Sequence, residues 1–211
     1  MVGSSMGARL VLEMARRGRA RAVVALELGG FWKGWERTFF ETTITASIGL
    51  VRALRALRAL RAALSAIARN VAGRTALMAQ LSTKPWALEP ALIARDLKSF
   101  AETRTFDDLG EDLANGSNQQ GPANTAAPVV IGWGRKDRLC LPQQAGRAIE
   151  AFPKATIHWF ESSGHFRCGT SHKRRSGQFW MLRQFKIEAN RQLGVYIKTS
   201  KYLAIYDIFG Q

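Results

Sequence analysis

Three short stretches of this chain carry residue types that can do nucleophilic chemistry together: Gly3-Ser4-Ser5-Met6-Gly7, Arg135-Lys136-Asp137-Arg138-Leu139-Cys140 and Ser162-Ser163-Gly164-His165-Phe166. A serine hydroxyl is a poor nucleophile until an imidazole removes its proton, and the imidazole needs a carboxylate to fix its tautomer and stabilise its charged form. Ser5, Asp137 and His165 supply those groups in the chain order Ser, Asp, His. The flanking glycines suit a tight strand-to-helix turn with no room for side chains at Gly3 and Gly7. Ser5 would project from that turn, and the backbone N–H of Met6 at the helix head would face a developing oxyanion. Each stretch also has a plainer reading. Gly3-Ser4-Ser5 can be an ordinary helix cap, Asp137 a solvated charge among Arg135, Lys136 and Arg138, and His165 a turn residue. The joint order favours catalysis. His158 alternates along a strand and His172 lies in a basic tail, while Cys140 reads as a small packing residue. Nothing in the pattern calls for a metal or a cofactor.

The elements around these stretches must hold them. Leu10, Val11 and Met14 fall at helical spacing and Gly18 stops that helix. Ala22-Val23-Val24-Ala25-Leu26-Glu27-Leu28, closed by Gly29-Gly30, reads as a strand buried on both faces of a parallel sheet. Ala127-Pro128-Val129-Val130-Ile131-Gly132-Trp133-Gly134 reads the same way, Pro142 opens a helix through Ala148 and Ile149, and Ala155-Thr156-Ile157-His158-Trp159-Phe160 reads as a further strand. Asp137 and His165 thus follow strands directly, and the carboxyl ends of parallel strands are where such sheets place their sites. Residues 31–120 read mostly as helix, ending in the polar loop Asn115-Gly116-Ser117-Asn118-Gln119-Gln120-Gly121-Pro122.

The insertion contains a repeat, Val51-Arg52-Ala53-Leu54-Arg55-Ala56-Leu57-Arg58-Ala59-Leu60-Arg61-Ala62-Ala63-Leu64. Its residues are strong helix formers, but a period of three drifts by about 60° per repeat against the roughly 100° per residue of a helix, so its leucine and arginine stripes spiral. A lid helix with a solvated arginine face is the economical reading. Weak contact with anionic lipid or nucleic acid through this helix and the basic tail is the other. The chain of 211 residues carries a formal charge of +15, and the last 46 residues alone hold 9 basic and 2 acidic side chains. That charge speaks to partners, not to fold. Two cysteines make no disulfide framework, no apolar run is long enough to span a bilayer, and the sequence before Gly3 is too short for a signal peptide. A cytoplasmic protein is the expectation.

With these motifs the chain resembles the α/β-hydrolase superfamily, and within it the cap-bearing bacterial serine hydrolases. The matching segments are VGSSMG, GWGRKDRLCLP and SGHF. The resemblance implies an α/β fold, in which a parallel sheet flanked by helices carries a helical cap insertion. It divides the chain into elbow, helix and strand over 1–30, cap over 31–120, acid and base segment over 121–166, and a divergent basic tail over 167–211. It implies Ser5 as nucleophile, Asp137 as the orienting acid, His165 as general base and the Met6 N–H as oxyanion donor. The substrate would be a small ester or related carbonyl compound, with Trp32, Trp35, Phe39, Phe40, Trp86 and Leu139 as candidates to line its pocket. Serine at the elbow argues against the members that use aspartate there. Two departures set a further expectation. Family members carry several strands before the elbow and an early loop that gives a second oxyanion N–H, whereas only Met1 and Val2 precede Gly3 here, and the pattern after Phe166 does not match. A chain shortened at its start and altered at its end would lack the strand entering the turn and would be poorly active, or an inactive fragment.

Overall fold

Val23-Val24-Ala25-Leu26 and Val129-Val130-Ile131-Gly132-Trp133-Gly134 bear no charged side chain, so strands built from them suit a sheet covered on both faces. In the computed structural model of the chain, which describes residues 1–56, 63, 66–102, 108, 116–121 and 127–165, both are strands with every residue buried. They are β2 (Val23–Leu26) and β3 (Val129–Gly134), the middle pair of a four-stranded sheet in the order β1-β2-β3-β4, where β1 spans Val2–Ser4 and β4 spans Thr156–Phe160. All pairings are parallel, with Gly3 opposite Ala25, Ala25 opposite Ile131 and Ile131 opposite Ile157.

The expectation that no strand enters the serine turn is corrected here. Three residues, Val2–Ser4, form it, because its ladder runs past both ends: the Val24 N–H donates to the Met1 carbonyl and the Ser5 N–H to the Leu26 carbonyl, each at 2.9 Å. Among the described residues β1 is an edge strand, and Met1 and Val2 are exposed.

One face of the sheet is covered by α1 (Met6–Arg16) and α5 (Gln144–Ala151). The face α1 buries is Ala8, Leu12 and Ala15, all at 0% exposure, rather than the larger Leu10 and Met14 that the spacing suggests, which are exposed. Alanines at both ends of the stripe let the helix lie close to the strands, with Leu12 between them contributing about 1.5–3 kcal/mol by burial. Gly18, at φ +67°, ends the helix in a left-handed turn that passes the Gly18 and Arg19 N–H groups back to the carbonyls of Ala15 and Met14. Trp133, Ile131 and Phe152 complete this core, while Val24, Leu26 and Val130 form the smaller apolar layer on the opposite face.

Between β2 and β3 the chain makes a helical insertion: α2 (Trp35–Ala56), α3 (Val71–Met78), a 3-10 turn (Pro85–Ala87) and α4 (Pro90–Glu102). Asn70 caps α3 by accepting from the Ala72 and Gly73 N–H groups at 2.9 and 3.2 Å. Buried Arg74 donates to the carbonyls of Ala68, Arg69 and Trp86, tying α3 to the 3-10 turn. The insertion is fastened to the sheet domain by Arg147 of α5, which donates to the Phe31 carbonyl at 2.6 Å and pairs with Glu36. Arg9 and Arg37 hold its returning loop by the carbonyls of Ser117 and Gly116. Most of the arginine repeat beyond Ala56, and the whole basic tail, lie outside the described residues. Among those described, no helix is long and apolar enough to cross a membrane.

Candidate active site

The turn from β1 into α1 places Ser5. Its backbone sits at φ 53°, ψ −118°, a region that a non-glycine residue occupies at a cost of order 1–3 kcal/mol. Close packing enforces it: a Cβ at Gly3 would lie 2.1 Å from the Gly7 carbonyl oxygen and 2.8 Å from the Ala8 nitrogen, so strand and helix approach as only glycine allows. Met6 is the first residue of α1, where N–H groups have no intrahelical acceptor and the helix dipole favours negative charge.

Two loops at the carboxyl ends of β3 and β4 bring the partners. Asp137 is 3% exposed despite its three basic neighbours, and its Oδ1 accepts from the Leu139 and Cys140 N–H groups, both at 2.9 Å, in a local turn that fixes the carboxylate. The Trp133 indole N–H donates to the Cys140 carbonyl at 2.8 Å and anchors the far end of that turn in the core. The acid and base loops are bound to each other by the Lys136 N–H on the Ser163 carbonyl, and a Cβ on Gly134 would lie 2.6 Å from that same oxygen. The insertion touches both loops: Arg138 donates to the Ala79 carbonyl and the Thr83 hydroxyl to the Ser162 carbonyl.

The result is a continuous chain of contacts. Ser5 Oγ lies 3.0 Å from His165 Nε2, and His165 Nδ1 lies 3.0 Å from Asp137 Oδ2. The side chains of His165 and Asp137 are 2% and 0% exposed, so water competes little for either contact. Burial opposes an imidazolium at His165, yet with the bonded Asp137 carboxylate beside it the His165 pKa is held well above its ordinary value. At Cys140, burial pushes the thiol pKa up, with Asp137 and Glu27 adding to the rise against the opposing pull of His165. A thiol held protonated in the interior is a weaker candidate nucleophile than the half-buried Ser5 hydroxyl.

The candidate pocket residues divide. Trp32 and Phe40 are buried, with ring centroids 4.5 Å apart, and the Trp32 indole N–H is buried with no hydrogen-bond partner among the described residues. Trp35 and Trp86 are 65% and 52% exposed, Phe39 meets Trp35 edge-on, and Leu139 packs against the main core. The structure joins Ser5, His165 and Asp137, and among the six it pairs Trp32 with Phe40 and Trp35 with Phe39.

Sequence reasoning missed three contributors. Glu27, the residue after β2, sits at φ 48°, is 3% exposed, and accepts from the Ser4 hydroxyl at 3.4 Å. The paired N–H groups of Leu139 and Cys140 were legible only as an Asp followed by a turn. Cys140 itself, read as packing, shares a buried group with Asp137 and His165 in which one potential ligand atom from each lies within 4.8 Å of the others.

No protein-family model matches the chain, and no curated protein matches it either. Solved structures do. A thermophilic esterase from Thermogutta terrifontis aligns over 92% of this chain and 65% of its own at 15% identity with a TM-score of 0.57. An alpha/beta hydrolase enzyme from a Medee basin deep-sea metagenome library aligns over 95% and 66% at 15% identity and a TM-score of 0.53. The meta-cleavage product hydrolase CumD from Pseudomonas fluorescens aligns over 90% and 64% at 15% identity and a TM-score of 0.53. The chain thus spans about two thirds of the length of each of these structures. Identity this low bears on fold alone, and on fold the likeness agrees with the parallel sheet and the insertion between β2 and β3: the chain has part of an α/β-hydrolase fold, with a helical cap.

Proposed function

We propose that the chain is a serine hydrolase of carboxylic esters or related small carbonyl compounds, with Ser5 as nucleophile, His165 as general base and Asp137 as the group that orients and supports the base. The observation that carries this reading is the unbroken line of 3.0 Å contacts from Ser5 Oγ through both nitrogens of His165 to Asp137. With Asp137 accepting from Nδ1–H, Nε2 carries the lone pair that takes the serine proton as Oγ bonds to the substrate carbonyl carbon. The tetrahedral oxyanion then falls to the Met6 N–H at the positive end of α1. His165 returns the proton to the leaving alkoxide, which departs as an alcohol. Water, deprotonated by the same nitrogen, releases the acyl group from Ser5 as a carboxylic acid.

The strained backbone of Ser5 and the seclusion of Asp137 and His165 support the same reading, since each is stability forgone for a fixed geometry. The experiment is hydrolysis of short p-nitrophenyl esters by the purified chain and by Ser5→Ala. Turnover abolished by the substitution is expected. Turnover of equal rate in both, or none from a folded chain across acyl lengths, overturns the reading.

A further inference from the structure

The proposed chemistry leaves one buried reactive group unused. Cys140 is 2% exposed, three residues beyond Asp137 in the acid loop, and its backbone is held on both sides of its Cα: its N–H donates to Asp137 Oδ1 and its carbonyl accepts from the Trp133 indole. Its sulfur lies over Gly29, where an added Cβ would stand 3.2 Å from Sγ. Asp137, Cys140 and His165 therefore present an oxygen, a sulfur and a nitrogen that all lie within 4.8 Å of one another, at 3%, 2% and 2% exposure. Glu27, also buried, adds a second carboxylate close enough to act on Cys140 electrostatically.

We propose that Asp137, Cys140 and His165 bind a thiophilic divalent cation of the zinc type, and that its binding switches the Ser5 site off. Zinc takes sulfur at about 2.3 Å and nitrogen or oxygen at about 2.0–2.2 Å in a tetrahedron, which sets its ligand atoms roughly 3.3–3.6 Å apart. The widest separation here needs to contract by little more than about 1 Å to reach that value. A thiolate with an imidazole selects zinc, cadmium or cobalt over magnesium or calcium. The proton balance gives the switch. On binding, the Cys140 thiol loses its proton to solvent and Nδ1 of His165, the nitrogen facing Asp137, becomes a ligand. The imidazole proton then resides on Nε2, so the nitrogen that faces Ser5 becomes a donor and cannot accept the serine proton. The cation also takes the Asp137 oxygen that held the ring. Only this inhibitory half rests on the proposed function of Ser5.

Cobalt(II) is the probe for binding, because a thiolate ligand gives it a near-ultraviolet charge-transfer band. The other cysteine, Cys168, is removed by Cys168→Ser, and the titration is run on the full chain under a non-thiol reductant. The expected result is a band that saturates at one Co2+ per chain, is displaced by Zn2+, and is lost in both Cys140→Ser and His165→Gln, each checked for folding by circular dichroism. No band from the folded chain, or one that survives Cys140→Ser, overturns the site. In parallel, Zn2+ is expected to slow fluorophosphonate labelling of Ser5, and Cys140→Ser to require about tenfold more Zn2+ or beyond for the same fractional loss relative to its own metal-free rate. A saturated cobalt band with labelling unaffected by Zn2+ overturns the switch. A metal-free chain that takes no label at all fails the Ser5 reading instead, and the cobalt titration still decides the site.

Discussion

Ser5 Oγ and His165 Nε2 meet at 3.0 Å across 160 residues of sequence, most of them in the insertion between β2 and β3. Backbone contacts help to set it at both ends, and the Asp137 carboxylate holds the far side of the His165 ring. Ser5 is placed by its N–H on the Leu26 carbonyl and by the closeness of Gly3 to Gly7, and His165 by the short loop that follows β4 and leans on Gly134. Several consequences can be measured.

The proton relay should titrate late. The His165 pKa is held well above its ordinary value, and only the neutral imidazole can accept the Ser5 proton, so the rate of fluorophosphonate labelling should rise with pH to a half-maximum above about 6.5. The stability effect has the opposite slope. Because the folded pKa exceeds the unfolded one, His165 contributes its full stabilisation below about pH 6.5 and loses it as pH rises through the folded pKa. A labelling profile centred below 6.5 contradicts this.

Asp137→Asn should keep the shape of the side chain and lose its function. An amide cannot hold the Nδ1–H tautomer as a carboxylate does, and the labelling rate is expected to fall about 10³-fold to 10⁴-fold. A second-order rate constant within tenfold of the parent's would show that the buried carboxylate does not act through His165.

Two glycine substitutions should separate close packing from backbone strain. Gly3→Ala drives a Cβ into the Gly7 carbonyl, so the turn must open, and both labelling and thermal stability should drop. Gly18→Ala meets nothing within 4 Å and bears only the left-handed φ of +67°, which costs about 1–2 kcal/mol. It should lower the melting temperature and leave labelling intact. Equal labelling in the two variants would mean that the Gly3 contact does not hold the turn.

Trp133→Phe probes the support of the acid loop. Phenylalanine keeps most of the ring volume but leaves the buried Cys140 carbonyl without its donor, at a cost of about 1–3 kcal/mol in urea unfolding, and the loosened turn should slow labelling as well. Unchanged stability would place that carbonyl's partner elsewhere.

Much of this site was legible in the sequence because its parts are local. The glycines at 3 and 7, the all-apolar runs at 23–26 and 129–134, and an Asp and a His directly after strands each follow from a short-range rule. What was not legible depends on approach in space. The face that α1 buries is chosen by how close alanine lets a helix lie to the sheet, so Ala8 and Ala15 go inside while Met14 stays out. Three residues suffice for β1 because β2 pairs with them, and Cys140 meets His165 only because the loops after β3 and β4 come together in space.

The most direct test of the account is fluorophosphonate labelling of the purified chain, mapped to the modified peptide, beside Ser5→Ala and His165→Ala. The account predicts one label, on Ser5, absent from Ser5→Ala and nearly absent from His165→Ala. A folded chain that takes no label, or one whose Ser5 reacts equally well without His165, contradicts it.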